Sequence, residues 1–220
     1  MKPRYTVYLS NNLYEDYNLN FGDISIIQIG IFSNNVPLLN KPFICINGSN
    51  IYHHITYYII KVNIIEKFDY IHIDAHMDFG DLEPNKEPEY FSFVQYILEL
   101  QNCQSITFIG NSIYQMSNYL NNYKKEGFDK NINLISKISE ISKMRLKNIY
   151  LSIDLDVMSR EEFKTPYPNQ GELKFEIFIN FIEEIKRNFN IIGIDICGLN
   201  PSLSLEEKNK LEILLKILMN

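Results

Sequence analysis

"IHIDAHMDFGD", residues 71–81, begins apolar and then sets His72, Asp74, His76 and Asp78 at every second position. In an extended chain alternate side chains share a face, so this spacing predicts four ionisable groups pointing the same way where a strand runs out. Bare carboxylates held side by side repel, and burial strengthens the repulsion. A cation is therefore expected among them.

A second stretch repeats the arrangement. "YLSIDLDVM" (150–158) ends an apolar run in Asp154 and Asp156, two positions apart. Two strands of one parallel sheet would bring all four aspartates to its edge. Carboxylates with imidazole and without a cysteine cluster form an oxygen-rich set, which suits Mn²⁺ or a similar hard divalent ion better than structural zinc. Two such ions would balance four carboxylates and could activate a water between them.

Further short β-branched runs recur at 4–10, 24–32, 43–46, 70–73, 105–110, 148–153 and 191–196, several of them continuously apolar, as in strands covered on both faces. Phe178, Phe181, Ile182 and Ile185 keep helical spacing, as do Leu211, Leu214, Leu215 and Leu218. Ser204 with Glu207 reads as a capping box for the last helix. The alternation predicts a three-layer α/β/α fold with a mostly parallel sheet. The loops 81–90 and 159–171 each follow a strand that ends in carboxylates, where such folds place their sites.

The 220 residues, 45% hydrophobic and 22% charged, fit one soluble domain over 1–220. A net charge of −6 without a basic block argues against nucleic acid. No apolar run approaches a membrane span, and three scattered cysteines argue against a disulfide framework. The expected location is the cytoplasm. An oligomer of identical chains is compatible with the sequence.

"DAHMD" (74–78) followed by "SIDLD" (152–156) resembles the paired signatures of the arginase/agmatinase (ureohydrolase) superfamily, and "GIDICGLNPSL" (193–203) is similar to that family's late strand and Asn-Pro turn. The resemblance implies the arginase–deacetylase fold, two Mn²⁺ ions and hydrolysis of a guanidinium C–N bond with release of urea. It implies that Asp74, Asp78 and Asp154 bind one ion together with an upstream His. Asp74 and Asp154 would bridge to the second ion, completed by His76 and Asp156. Asp78 and His76 are the residues expected to serve catalysis, Asp78 by orienting the nucleophile and carrying its proton. For the upstream ligand, alignment from the glycine of "INGSNIYHHIT" gives Asn50, while sliding by three gives His53 in the first turn of the next helix, with His54 beside it. His53 is the favoured choice. His72 is expected to sit deeper, in a core or supporting role.

The chain departs from the pattern in three places. Residues 79–97 hold no His and no Ser/Asn-rich grip for a free amino acid, Ser159-Arg160 follows the second Asp pair, and Gly198 stands where the family carries a guanidinium-binding Glu. Asp195, Glu87 or Glu89 could supply the missing carboxylate. The short chain resembles arginase-like enzymes that convert arginine within ribosomal peptides to ornithine, which is the leading expectation for substrate. The alternatives are a small guanidino or amidine substrate, such as agmatine or an N-formimidoyl acid, and a non-catalytic arginase-like protein.

Overall fold

The computed structural model describes residues 5–10, 19, 24–30, 35–79, 86–110 and 131–220. Residues 4, 31–32 and 81–85 of the expected strands and loop lie outside them. Eight strands form one parallel sheet: β1 (Thr6–Ser10), β2 (Ile26–Ile29), β3 (Phe43–Gly48), β4 (Phe68–Ile73), β5 (Cys103–Ile109), β6 (Asn131–Ile135), β7 (Asn148–Asp154) and β8 (Asn190–Cys197). Their order across the sheet is β2-β1-β3-β8-β7-β4-β5-β6.

The described helices are α1 (Ile55–Asn63), α2 (Phe93–Glu99), α3 (Ile138–Ile141), α4 (Phe175–Asn188) and α5 (Leu205–Met219). They cover both faces. One apolar core joins Ile44, Ile71, Leu151 and Ile194 to Phe178 and Ile182 of α4 and Leu211 and Leu215 of α5. The other joins Phe43, Tyr70, Phe108 and Tyr150 to Ile55 and Ile59 of α1 and Val94 and Ile97 of α2. Burial on both faces explains why β3, β7 and β8 read as unbroken apolar runs. The three-layer expectation holds. No described helix is long and apolar enough to cross a membrane.

β6, "NINLI", was not anticipated from the sequence, because its asparagines and half-buried isoleucines lack the pattern of a covered strand. It lies at the sheet edge beyond β5.

Strand pairing positions the site. Ile73 of β4 is level with Ile153 of β7, Asp154 with Cys197 of β8, and Cys197 with Gly48 of β3. Four neighbouring strands thus end at one height. After β4 the chain leaves toward β5, and after β7 it leaves the opposite way toward β8. A crevice opens at such a switch point beyond the carboxyl ends of the strands.

Candidate metal centre

Asp74 is the first residue beyond β4, and its amide makes a last bond to β5, donating to Ile109 O at 3.1 Å. The His76 amide donates to Asp74 Oδ1 at 2.6 Å, a local turn typical of aspartate. Asp78 then takes φ +46°, a conformation that non-glycine residues rarely adopt. The expectation of one extended strand with four aligned side chains is corrected: a strand end followed by a turn brings the same groups together.

On β7, the Asp154 carboxylate accepts from the Asp156 amide at 2.9 Å, closing the short 3₁₀ turn Leu155–Val157. Asp156 Oδ1 accepts from the Ala75 amide at 3.3 Å, tying the two acidic segments to each other.

His53 joins them from the turn between β3 and α1, just before the helix and not within its first turn. Its Nδ1 lies 3.3 Å from Asp74 Oδ2, 3.1 Å from Asp78 Oδ2 and 3.4 Å from Asp154 Oδ2. The other ring nitrogen, Nε2, lies 2.9 Å from Ser152 Oγ, which itself donates to Asp195 Oδ2 at 3.0 Å. With the serine proton committed to Asp195, Nε2 is the donor to Oγ, and in the neutral ring the lone pair sits on Nδ1. That lone pair faces three carboxylate oxygens. His76 Nδ1 approaches two carboxylate oxygens from the other side, 3.3 Å from Asp74 Oδ1 and 3.1 Å from Asp156 Oδ2.

His54 is turned away, its Nδ1 lying 3.0 Å from Ile51 O and its ring against Tyr58. His72 is fully buried beneath the site, stacked on His53, with Nδ1 3.2 Å from the Tyr70 hydroxyl and Nε2 3.2 Å from Asp74 Oδ2.

These contacts test whether cations fit. Buried His53 Nδ1, His72 Nε2 and Asp74 Oδ2 have no well-formed hydrogen bond, although buried polar atoms nearly always find a partner. Donor atoms of His53, His72 and Asp74 lie within 4.8 Å of one another, and so do those of Asp74, His76 and Asp156, and of His53, Asp154 and Cys197. The acids show the same stress. Burial, with the charge of Asp74, pushes Asp78 and Asp154 up to about 6, and burial with Asp154 pushes Asp156 well up. Burial would lower His76, but Asp156 and Asp74 outweigh it and raise it to about 11. For Asp74 burial works upward, yet the three histidines hold it well below the carboxylate range. The cluster can hold divalent cations through oxygen and imidazole donors.

The site opens into a cavity of about 360 Å³. Its described walls are the acidic cluster with Asn50 and an aromatic side of Phe79, Tyr90, Phe91 and Tyr167; no lysine or arginine is among them. Tyr167, from the loop after β7, sets its ring edge-on to His76 at 4.7 Å.

The carboxylates proposed to replace the missing Glu do not line this cavity. Asp195 is wholly buried below His53, Glu87 hydrogen-bonds Tyr58, and Glu89 is exposed. Gly198 has φ +87°, and a Cβ there would lie 2.5 Å from Asp154 Oδ1. Sequence reasoning overlooked Ser152, which shares the period-two register of Asp154 just as His72 shares that of Asp74.

A parallel sheet covered on both faces, with an aspartate–histidine cluster at its switch point, defines a three-layer α/β protein with a candidate metal centre. The chain belongs to the arginase family, whose model matches residues 49–220. Among solved structures it resembles arginase from Bacillus caldovelox, at 12% identity and TM-score 0.69 over 100% of this chain and 99% of that one. It is also similar to a putative agmatinase from Clostridium difficile, at 18% identity and TM-score 0.68 over 98% and 95%. A third likeness is to formimidoylglutamase from Bacillus subtilis, at 19% identity and TM-score 0.59 over 80% and 60%. No curated protein sequence matches the chain significantly.

Proposed function

We propose that the protein is a binuclear Mn²⁺ ureohydrolase that converts arginine within a peptide to ornithine and urea. The observation that carries this reading is the convergence of two histidine Nδ1 atoms on four clustered carboxylates where neighbouring strands end. His53, Asp74, Asp78 and Asp154 would hold one ion, and Asp74, His76, Asp154 and Asp156 the other. When bound, the ions would lower the pKa of a water to near neutrality, so that it could serve as the nucleophile toward the guanidinium carbon.

The chain's own groups do the rest. Ser152 and Asp195 fix the His53 tautomer, as partners of metal-bound imidazoles do elsewhere. Asp78, with its left-handed backbone, aims a carboxylate into the cavity, where it can orient a water and hold its proton. The aromatic wall gives a planar cation a surface on which to stack. The described lining offers no cation to pair with an α-carboxylate, which favours an arginine already joined in peptide bonds. The same observation favours a small carboxylate-free guanidine such as agmatine as a second reading.

Urea release from the Mn²⁺-loaded protein, compared across an arginine-containing peptide, free arginine and agmatine, tests the reading. Turnover of the peptide well above both free compounds is expected. Preference for agmatine moves the assignment to the second reading, and no urea from any of them contradicts both.

A further inference from the structure

We propose that Asn50 is a positioning residue of this centre, a neutral clamp that holds the Asp154 and Asp156 carboxylates side by side for cation capture. The proposal rests on the metal-centre reading above. Asn50 opens the 3₁₀ turn after β3 (Asn50–Tyr52) and is 6% exposed, on the cavity wall. Its Nδ2 donates to both oxygens of Asp154, at 2.7 and 2.9 Å, and to Asp156 Oδ2 at 3.1 Å. One amide thus spans two like charges that would otherwise push apart.

The other contacts of the pair show why a third segment is needed. The Asp156 amide holds Asp154, and the Ala75 amide holds the far oxygen of Asp156. The Cα of Gly198 sits against Asp154 on another side. His53 Nδ1 reaches Asp154 and His76 Nδ1 reaches Asp156, one carboxylate each, whereas the Asn50 amide touches both. The residue type suits the task. A lysine or arginine would compete with a metal for the same oxygens, and an acid would repel them, whereas an amide donates hydrogen bonds without net charge. Hydrogen bonds to charged groups are the stronger kind, so losing this fork lets the pair splay and makes loading reassemble it.

Titration of the metal-free chain with Mn²⁺ alone, followed by calorimetry, tests the clamp in wild type, Asn50→Ala and Asn50→Leu. The leucine variant keeps the volume and cannot donate, so it stands in if the alanine variant fails to fold. Two equivalents are expected for wild type. In the variants, affinity for one equivalent, the ion shared by Asp156 and His76, falls about tenfold or more, while the other, which shares only Asp154 with the clamp, falls by less. Unchanged binding overturns the clamp, and so does tighter binding, which would mean that the amide merely obstructs the cation. An equal fall in both equivalents also overturns it, marking a general structural role. A wild-type chain that takes up no Mn²⁺ removes the centre itself, a failure visible before any variant is compared.

Discussion

At position 198 two facts act together: a backbone φ of +87° and a missing Cβ that would otherwise lie 2.5 Å from Asp154 Oδ1. Restoring the family's glutamate is therefore not a repair. Gly198→Glu is expected to lose bound Mn²⁺ and to destabilise the fold by about 1–3 kcal/mol, read by metal analysis and thermal melting. A gain of urea release in that variant would show that the backbone accommodates a substrate-binding carboxylate there. Asp195 accepts from Ser152, which contacts His53 Nε2, and its own Oδ2 lies 3.9 Å from that nitrogen. Asp195→Ala should weaken Mn²⁺ binding about 10–100-fold, and unchanged affinity would show that the relay does not matter. Five of the six ligand candidates, Asp74, His76, Asp78, Asp154 and Asp156, were legible as residues because they alternate with apolar positions in a way that no ordinary strand requires. The choice among Asn50, His53 and His54 was not settled by spacing, since all three lie within one turn of chain. Folding puts two of them in the cluster and turns His54 out.

The strands covered on both faces were legible because burial demands unbroken apolar runs, as in "FICI" and "NIYLSI". The edge strand β6 carries no such demand and was missed. The helices α4 and α5 announced themselves through apolar spacing, and the capping box before α5 forms as read: Ser204 Oγ accepts from the Glu207 amide at 3.2 Å and Glu207 returns the bond to the Ser204 amide at 2.7 Å. Ser204→Ala should cost about 1 kcal/mol, lowering the melting temperature by about 2–4 °C while leaving Mn²⁺ affinity untouched. A change in metal binding would mean that α5 reaches the site by a route not visible in its contacts. The "DAHMD" segment shows the limit of period-two reasoning. Alternation grouped the right side chains, but a turn, stabilised by the Asp74 carboxylate, and not a continued strand does the grouping.

On the scale of the whole molecule, the sequence could place acidic residues at strand ends but could not show which ends are neighbours. That depends on the order β3-β8-β7-β4, in which strands far apart in the chain finish level. The consequence is a fold whose most crowded charges meet where four strands stop. Cations that bind only this folded arrangement stabilise it by mass action, by about 2.7 kcal/mol at one hundred times the dissociation constant. The melting temperature should accordingly rise with added Mn²⁺ and fall on chelation, and a melt indifferent to both would argue that no cation offsets these charges. The most direct test is the metal content of the chain after equilibration with Mn²⁺ and removal of excess, for wild type beside Asp154→Ala. Two equivalents in the wild type and loss of both in the variant are the predicted result. A wild type that retains none, or a variant that retains both, would contradict the assignment of these two strand ends to one metal centre.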